Sequence, residues 1–204
     1  MVDHGVDVSR LIEEARKARP GALDRLLAAY RNYLRLLART GIDASLRGKV
    51  DPSDLVQEAL LKAHQHFGQL RGDTEAELVA WLRQILARCL ADLVRRYRVA
   101  AARHVGRERS LEELLNGSSP AVDRLLADPA TSPSQSAQRR ELSVVLADAL
   151  AELSPDHREV LMLRSIEELD WDEVARSMGR SPGAVRMLWA RALKQLRPLI
   201  EDRL

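Results

Sequence analysis

Apolar residues recur along most of the chain at spacings of three and four, the period of a helix buried on one side, rather than in the alternating runs of a half-buried strand. The pattern predicts helix from about Val8 to Arg39, broken at Arg19-Pro20-Gly21, where proline and glycine both oppose continuation. A polar loop over 41–50 follows. Asp51-Pro52-Ser53 then opens a helix expected to reach about Phe67: Asp51 suits the cap, Pro52 the first turn, and Asp54 the positive end of the helix dipole. On it Val56, Leu60, Ala63 and Phe67 share a face and are the expected core, while Asp54, Gln57, Glu58 and Leu61 lie on the other side. That second face, acidic and amide with one leucine in it, is either an interaction surface or an ordinary solvated one.

A loop over 68–74 precedes a longer helix, expected from Glu75 to about Val99. Leu82, Leu86, Cys89, Leu93 and Tyr97 form its apolar stripe, and Gln84, Arg88, Arg95 and Arg98 a separate polar one suited to phosphate. Beyond Ala102 the periodicity weakens. The stretches 116–120 and 128–134 are rich in Gly, Ser, Pro and Asn and read as linker, with 111–115 and 122–126 as isolated helical turns. Helical spacing returns from Ser136 to about Leu153 and restarts at Ser154-Pro155. The expectation is an all-α protein: a domain over 8–102, a flexible linker over 103–135, and a second domain over 136–204.

The sharpest local signal lies near the C-terminus. Asp170-Trp171-Asp172-Glu173 is a D-x-x-E capping box, and the short helix it opens stops at Gly179. Ser181-Pro182 starts the next helix almost at once, a spacing that predicts a helix-turn-helix from Asp170 to about Leu199. In the second helix Val185, Leu188, Trp189, Ala192 and Leu196 cluster inward, while Gly183, Arg186, Met187, Ala190, Arg191, Lys194 and Arg197 face out. A helix in the major groove uses its first turns for base edges and its flanks for phosphate. Arg186 and Met187 are therefore the candidate readers, beside Ser181, Gly183 and Ala184, and Arg180, Arg191 and Lys194 the candidate anchors.

Composition agrees with this picture. Of 204 residues 46% are hydrophobic and only 3% aromatic, and the net charge of +2 hides an uneven distribution. Between Arg83 and Arg109 eight arginines face two acids, and from Arg176 to Arg197 there are six basic residues and no acid, as two contacts with a polyanion would require. A single cysteine, Cys89, precludes an internal disulfide and reads as a buried core thiol. No stretch suits a membrane span or a signal segment, so a cytoplasmic location without membrane insertion is expected.

With both regions read, the chain resembles the extracytoplasmic-function (ECF) sigma factors over nearly its whole length. The residues Asp51-Pro52-Ser53-Asp54-Leu55-Val56-Gln57-Glu58-Ala59-Leu60-Leu61-Lys62-Ala63 look like that family's polymerase-binding helix, and Ala80-Trp81-Leu82 through Ala91-Asp92 and Arg95-Arg96 look like its promoter −10 region. Leu153-Ser154-Pro155 to Val160-Leu161 and Glu173-Val174-Ala175 to Val185 resemble its −35-reading domain.

The resemblance implies a dissociable, non-catalytic subunit of RNA polymerase without metal or cofactor, whose partners are core polymerase, through its clamp helices and flap, and promoter DNA. It leaves room for an anti-sigma factor. Asp54, Gln57, Glu58 and Leu61 would dock on the clamp. The loop over 70–77, with Arg71 and Asp73, would cradle a base flipped from the opening duplex, and Gln84, Arg88, Asp92, Arg95 and Arg96 would serve the same −10 element. Two departures stand out. Arg88 stands where many members carry asparagine, and Leu188-Trp189-Ala190 where a recognition helix often reads Arg-Leu-His, so a promoter sequence does not carry over.

A free-standing repressor would use the same helix-turn-helix but leaves the 51–63 helix and the first basic block without a role. An enzyme has less support. His64 and His66 lie two apart on a helix, about 200° around its axis, and no H-E-x-x-H, cysteine cluster, P-loop or G-x-S-x-G pattern occurs.

Overall fold

The computed structural model describes the backbone of residues 8–42, 50–105 and 133–203, and the side chains of these except 98–105 and 133–141. The expected linker lies outside the described residues apart from its helical ends, as do the turns at 111–115 and 122–126 and the side chain of Arg98. Every described element is helical, with no strand among the described residues, and the chain divides into two compact units, Met1–Arg140 and Glu141–Leu204.

The first unit contains α1 (Val8–Arg16), α2 (Ala22–Ala29), α3 (Arg31–Gly41), α4 (Pro52–Gln65) and α5 (Glu75–Val105). The break after α1 falls at the expected place, but it is made by Ala18 as well as by Pro20 and Gly21. Ala18 sits at φ 52, with its N–H on the Ala15 carbonyl and that of Arg19 on Glu14. This is a Schellman stop built on an alanine where glycine carries no steric penalty. A second break, not visible in the pattern, occurs at Tyr30 (φ −98, ψ 3) between α2 and α3. The Tyr30 ring is buried, and its hydroxyl donates to Glu75 Oε1 at 2.8 Å, tying the break to the start of α5.

The cap of α4 is as the sequence suggests: Asp51 accepts from the Ser53 N–H at 2.7 Å, and Pro52 opens the helix. The helix stops at Gln65, however. Phe67 turns aside in a 3₁₀ turn, half-buried, with its edge against Trp81 at 6.3 Å. The buried face is carried by Leu55, Val56, Ala59 and Ala63, rotated from the expected one, and Leu60 is only half-buried. On α5, Leu82, Leu86, Cys89 and Leu93 are buried as expected, but Tyr97 is 36% exposed, so the apolar stripe ends a turn earlier. The two central helices α4 and α5 pack on each other and on α3, and α1 packs on α2.

Helix α6 (Pro133–Glu152) enters the second unit at Glu141 and is followed there by α7 (Pro155–Leu161), which runs into a π-helical turn over Met162–Ile166. Arg158 on α7 donates to the carbonyls of Leu150 (2.8 Å), Ala151 (2.6 Å) and Leu153 (3.0 Å), placing a cation on the unsatisfied C-terminal end of α6. Then come α8 (Trp171–Met178) and α9 (Pro182–Glu201), with α9 packed on α7 and α8. Val160, Leu161, Val174, Val185 and Ala192 form the centre of this core.

The stop of α8 repeats the geometry of α1 with the favoured residue. Gly179 sits at φ 60, its N–H on Arg176 and the next N–H on Ala175. Ala18→Gly is therefore expected to stabilise the protein by about 1 kcal/mol and Gly179→Ala to destabilise it by a similar amount. Thermal unfolding of the two variants should show melting shifts of opposite sign; shifts of the same sign would contradict the strain argument.

Candidate nucleic-acid interface

The helix-turn-helix is assembled by side chains within four residues of one another. Asp170 accepts from the Glu173 N–H at 2.8 Å while Glu173 accepts from the Asp170 N–H at 3.0 Å, completing the capping box. Gly179, Arg180 and Ser181 make the turn, and Ser181 Oγ accepts from the Ala184 N–H at 3.3 Å to start α9. With Val185, Ala192 and Leu196 buried, α9 is fixed in rotation, and Gly183, Ala184, Arg186, Met187, Ala190, Arg191, Lys194 and Arg197 are all exposed. Leu188 and Trp189, expected inward, are half-buried at the boundary. The outward face carries no acid, and Arg191 and Lys194 make no ion pair among the described residues.

Two of the expected basic contacts are engaged within the unit. Arg180 pairs with Asp156 at the start of α7. Arg186 lies over the Trp171 ring, 5.6 Å from its centroid, and Arg164, from the π-helical turn, lies over the same ring at 5.0 Å while donating to the Leu169 carbonyl at 3.0 Å. Trp189 meets Trp171 edge-on at 5.7 Å and donates from Nε1 to Ser165 Oγ at 3.0 Å. Trp171 and Arg164 were not singled out by spacing, because the cluster joins three elements. The only local hint was a tryptophan at the first position of a helix whose core face lies elsewhere.

On α5, Gln84, Arg88 and Arg95 are exposed and follow one another along a face by helical spacing. Asp92 stands beside them, 3.7 Å from Arg95 and 3.6 Å from Lys62 on α4. Arg96 is turned away from this stripe toward α4, where its guanidinium donates to Glu58 at 3.2 Å. Arg71 and Asp73 are exposed in the loop before α5. That loop ends in a reciprocal cap: Glu77 Oε2 accepts from the Thr74 N–H (3.1 Å) and hydroxyl (2.6 Å), and Thr74 Oγ1 accepts from the Glu77 N–H (3.3 Å). The Thr74 hydroxyl, more than any charge, holds the Glu77 carboxyl below its ordinary range.

On α4, Asp54, Gln57 and Leu61 project into solvent, and Leu61 is 58% exposed, among the largest exposures of any big apolar side chain described. Glu58 is half-buried between Lys62 (3.0 Å) and Arg96, and the Lys62 hydrogen bond pulls its carboxyl below the usual range. Cys89 is buried beneath this network, and burial pushes its thiol up. His64 lies 3.6 Å from Asp24 and His66 3.4 Å from Gln69, on separate partners. Among the described residues no group of His, Cys, Asp and Glu is arranged to hold a metal ion, and no helix is long and apolar enough to cross a membrane.

Comparison with known proteins accounts for both units. The family model described as Sigma-70 region 2 matches residues 26–100, and that described as Sigma-70, region 4 matches residues 143–196. The RNA polymerase sigma factor CarQ of Myxococcus xanthus is 32% identical over 149 residues, 73% of this chain and 74% of the relative. The chain belongs to the ECF sigma factors. The ECF RNA polymerase sigma factor BldN of Streptomyces coelicolor is 28% identical over 96% of this chain and 68% of its own length. The RNA polymerase sigma-E factor of Streptomyces antibioticus is 31% identical over 82% of this chain and 84% of its own. As a sigma factor the protein binds core RNA polymerase and promoter DNA and directs transcription initiation. The region 2 match takes in α3, α4 and most of α5 but not α1, and the region 4 match takes in the helix-turn-helix.

Proposed function

We propose that this sigma factor divides promoter recognition and polymerase binding among three surfaces. The α4 face of Asp54, Gln57, Glu58 and Leu61 docks on the clamp helices of the polymerase. The 70–77 loop with Arg71 and Asp73, and the α5 side chains Gln84, Arg88, Asp92 and Arg95, hold the −10 element, and Arg96 joins them only by releasing Glu58. The outer face of α9, from Ser181 to Lys194 with Arg180 beside it, enters the major groove at −35, and its domain lies near the polymerase flap. The two domains act at the two ends of a linker over 103–135, in the cytoplasm. The protein supplies no catalytic group.

The observation that carries this reading is Leu61. This leucine is 58% exposed amid polar neighbours on a helix whose other face is buried, and it lies within the stretch that matches Sigma-70 region 2, which supports α4 as a docking surface over a repressor that needs no polymerase. The −10 assignment rests on the resemblance to the family's −10 region within the region 2 match, and the exposed basic stripe of Arg88 and Arg95 on α5 is consistent with it. Removing a base from the stack costs a few kcal/mol, and contacts of a loop with the flipped base, together with arginines on the backbone, would offset that cost without nucleotide hydrolysis.

Run-off transcription with purified core polymerase and a promoter library tests the reading directly. Initiation at a subset of promoters only when the sigma factor is added is the expected result. Shifting of duplex DNA without core polymerase, together with no added initiation, would establish the repressor reading in its place.

A further inference from the structure

The loop leading into α5 is held from a helix that the region 2 match leaves out. Leu70 is buried at its start, and Gly72 sits at φ 92, where a Cβ would also collide with the Glu77 carboxylate. The Thr74–Glu77 cap closes its far end. Between these points the carbonyls of Leu70 and Gly72 and the carboxylate of Asp73 converge on one side chain, Arg16, the last residue of α1. Arg16 Nη2 donates to Gly72 O at 2.6 Å and to Leu70 O at 3.3 Å, and Nη1 to Asp73 Oδ1 at 3.3 Å.

A planar guanidinium suits this task, because its donors are fixed in one fork and its charge strengthens each bond. The acceptors lie 54 to 57 residues away along the chain and all belong to residues 70–73, so the contact ties that loop to the end of α1. Two of the three acceptors are backbone carbonyls, so the clamp fixes the course of the main chain whatever the side chains do.

We infer that Arg16 is a positioning residue for the −10 loop, holding residues 70–73 in the shape that receives a flipped base before DNA arrives. The inference rests on the reading of the 70–77 loop given above. Ordering a loop in advance removes that entropy cost from the binding step, so losing the clamp weakens binding without removing any group that touches DNA. Helix α1 is thereby part of the promoter-opening apparatus and not only a packing helix.

The test uses holoenzyme assembled with core polymerase and a promoter recovered by run-off selection, with its −10 region opened by mismatches. Arg16→Ala is expected to lower affinity for this DNA about tenfold, the size of one charge-assisted contact, with core binding and melting temperature unchanged. Arg16→Lys should recover part of the loss, and Arg71→Ala should also weaken binding. If Arg71→Ala weakens binding and Arg16→Ala and Arg16→Gln do not, the clamp has no positioning role and the loop reading stands. If no substitution at either residue has an effect, the loop does not hold the −10 element and the inference falls with it. Equal loss of core binding in Arg16→Ala, without recovery by lysine, would show that Arg16 only supports the fold.

Discussion

Leu61→Asp is expected to abolish most core polymerase binding while leaving the fold intact. The side chain is 58% exposed, so substitutions there should stay within about 0.5 kcal/mol of the native stability. Covering the exposed 58% of this leucine in an interface is worth about 1–2 kcal/mol, and an aspartate in its place adds the desolvation of a charge. A loss of about 2–3 kcal/mol corresponds to roughly 30- to 150-fold in dissociation constant. Titration of labelled core polymerase measures it. Leu55→Ala supplies the contrast: that side chain is 1% exposed on the opposite face, and its truncation should cost about 2–5 kcal/mol of stability. Native-like core binding by Leu61→Asp would remove α4 as the docking surface. Glu58 is less useful, since its carboxylate also holds Lys62 and Arg96, and replacing it would disturb the α4–α5 packing as well as any contact with polymerase.

What was legible in the sequence was whatever is decided within a few residues. The starts at Asp51-Pro52, Ser154-Pro155, Asp170 to Glu173 and Ser181-Pro182 are caps whose donor and acceptor lie at most three positions apart, and each forms. The outward face of α9 follows from helical spacing for the same reason. The kink at Tyr30 was not legible, because what holds it is a hydroxyl bond to Glu75, 45 residues away. Phe67 continues the spacing of α4 but leaves the helix for the edge of Trp81. The Schellman stop at Gly179 was visible in its glycine, whereas the same stop at Ala18 carried no such mark. Among the candidate site residues, spacing grouped Gln84, Arg88 and Arg95 but could not see that Arg96 pairs with Glu58 across 38 residues, or that Arg16 reaches the loop. Charge pattern identifies which residues are basic, and tertiary packing decides which of them are already spoken for.

Arg186 and Lys194 show how that distinction becomes measurable. Both are exposed on α9, but Arg186 rests over Trp171 and Lys194 has no partner among the described residues. A guanidinium near the start of the helix is suited to the two acceptors of a guanine edge, so Arg186→Ala is expected to weaken −35 binding by about 1–3 kcal/mol and to relax preference at one base pair. Lys194, two turns further along, is suited to phosphate. Its replacement by alanine should weaken all promoters alike and reduce the slope of log affinity against log salt by about one. Trp171→Leu keeps an apolar side chain but removes the π-face on which Arg186 rests. If that contact presets the arginine, a double-mutant cycle between the two should give a coupling of about 0.5–1 kcal/mol in −35 binding, and none between Trp171 and Lys194. Salt-dependent binding of holoenzyme to −35 variants reads all of these. If Arg186→Ala and Lys194→Ala both leave promoter-driven transcription unchanged, the groove-facing side of α9 has been misassigned. If Arg186→Ala changes the salt slope but not base preference, the residue is a phosphate anchor, and the base reading then falls to Met187 and the small residues Gly183 and Ala184, whose contacts are apolar and favour thymine methyl groups.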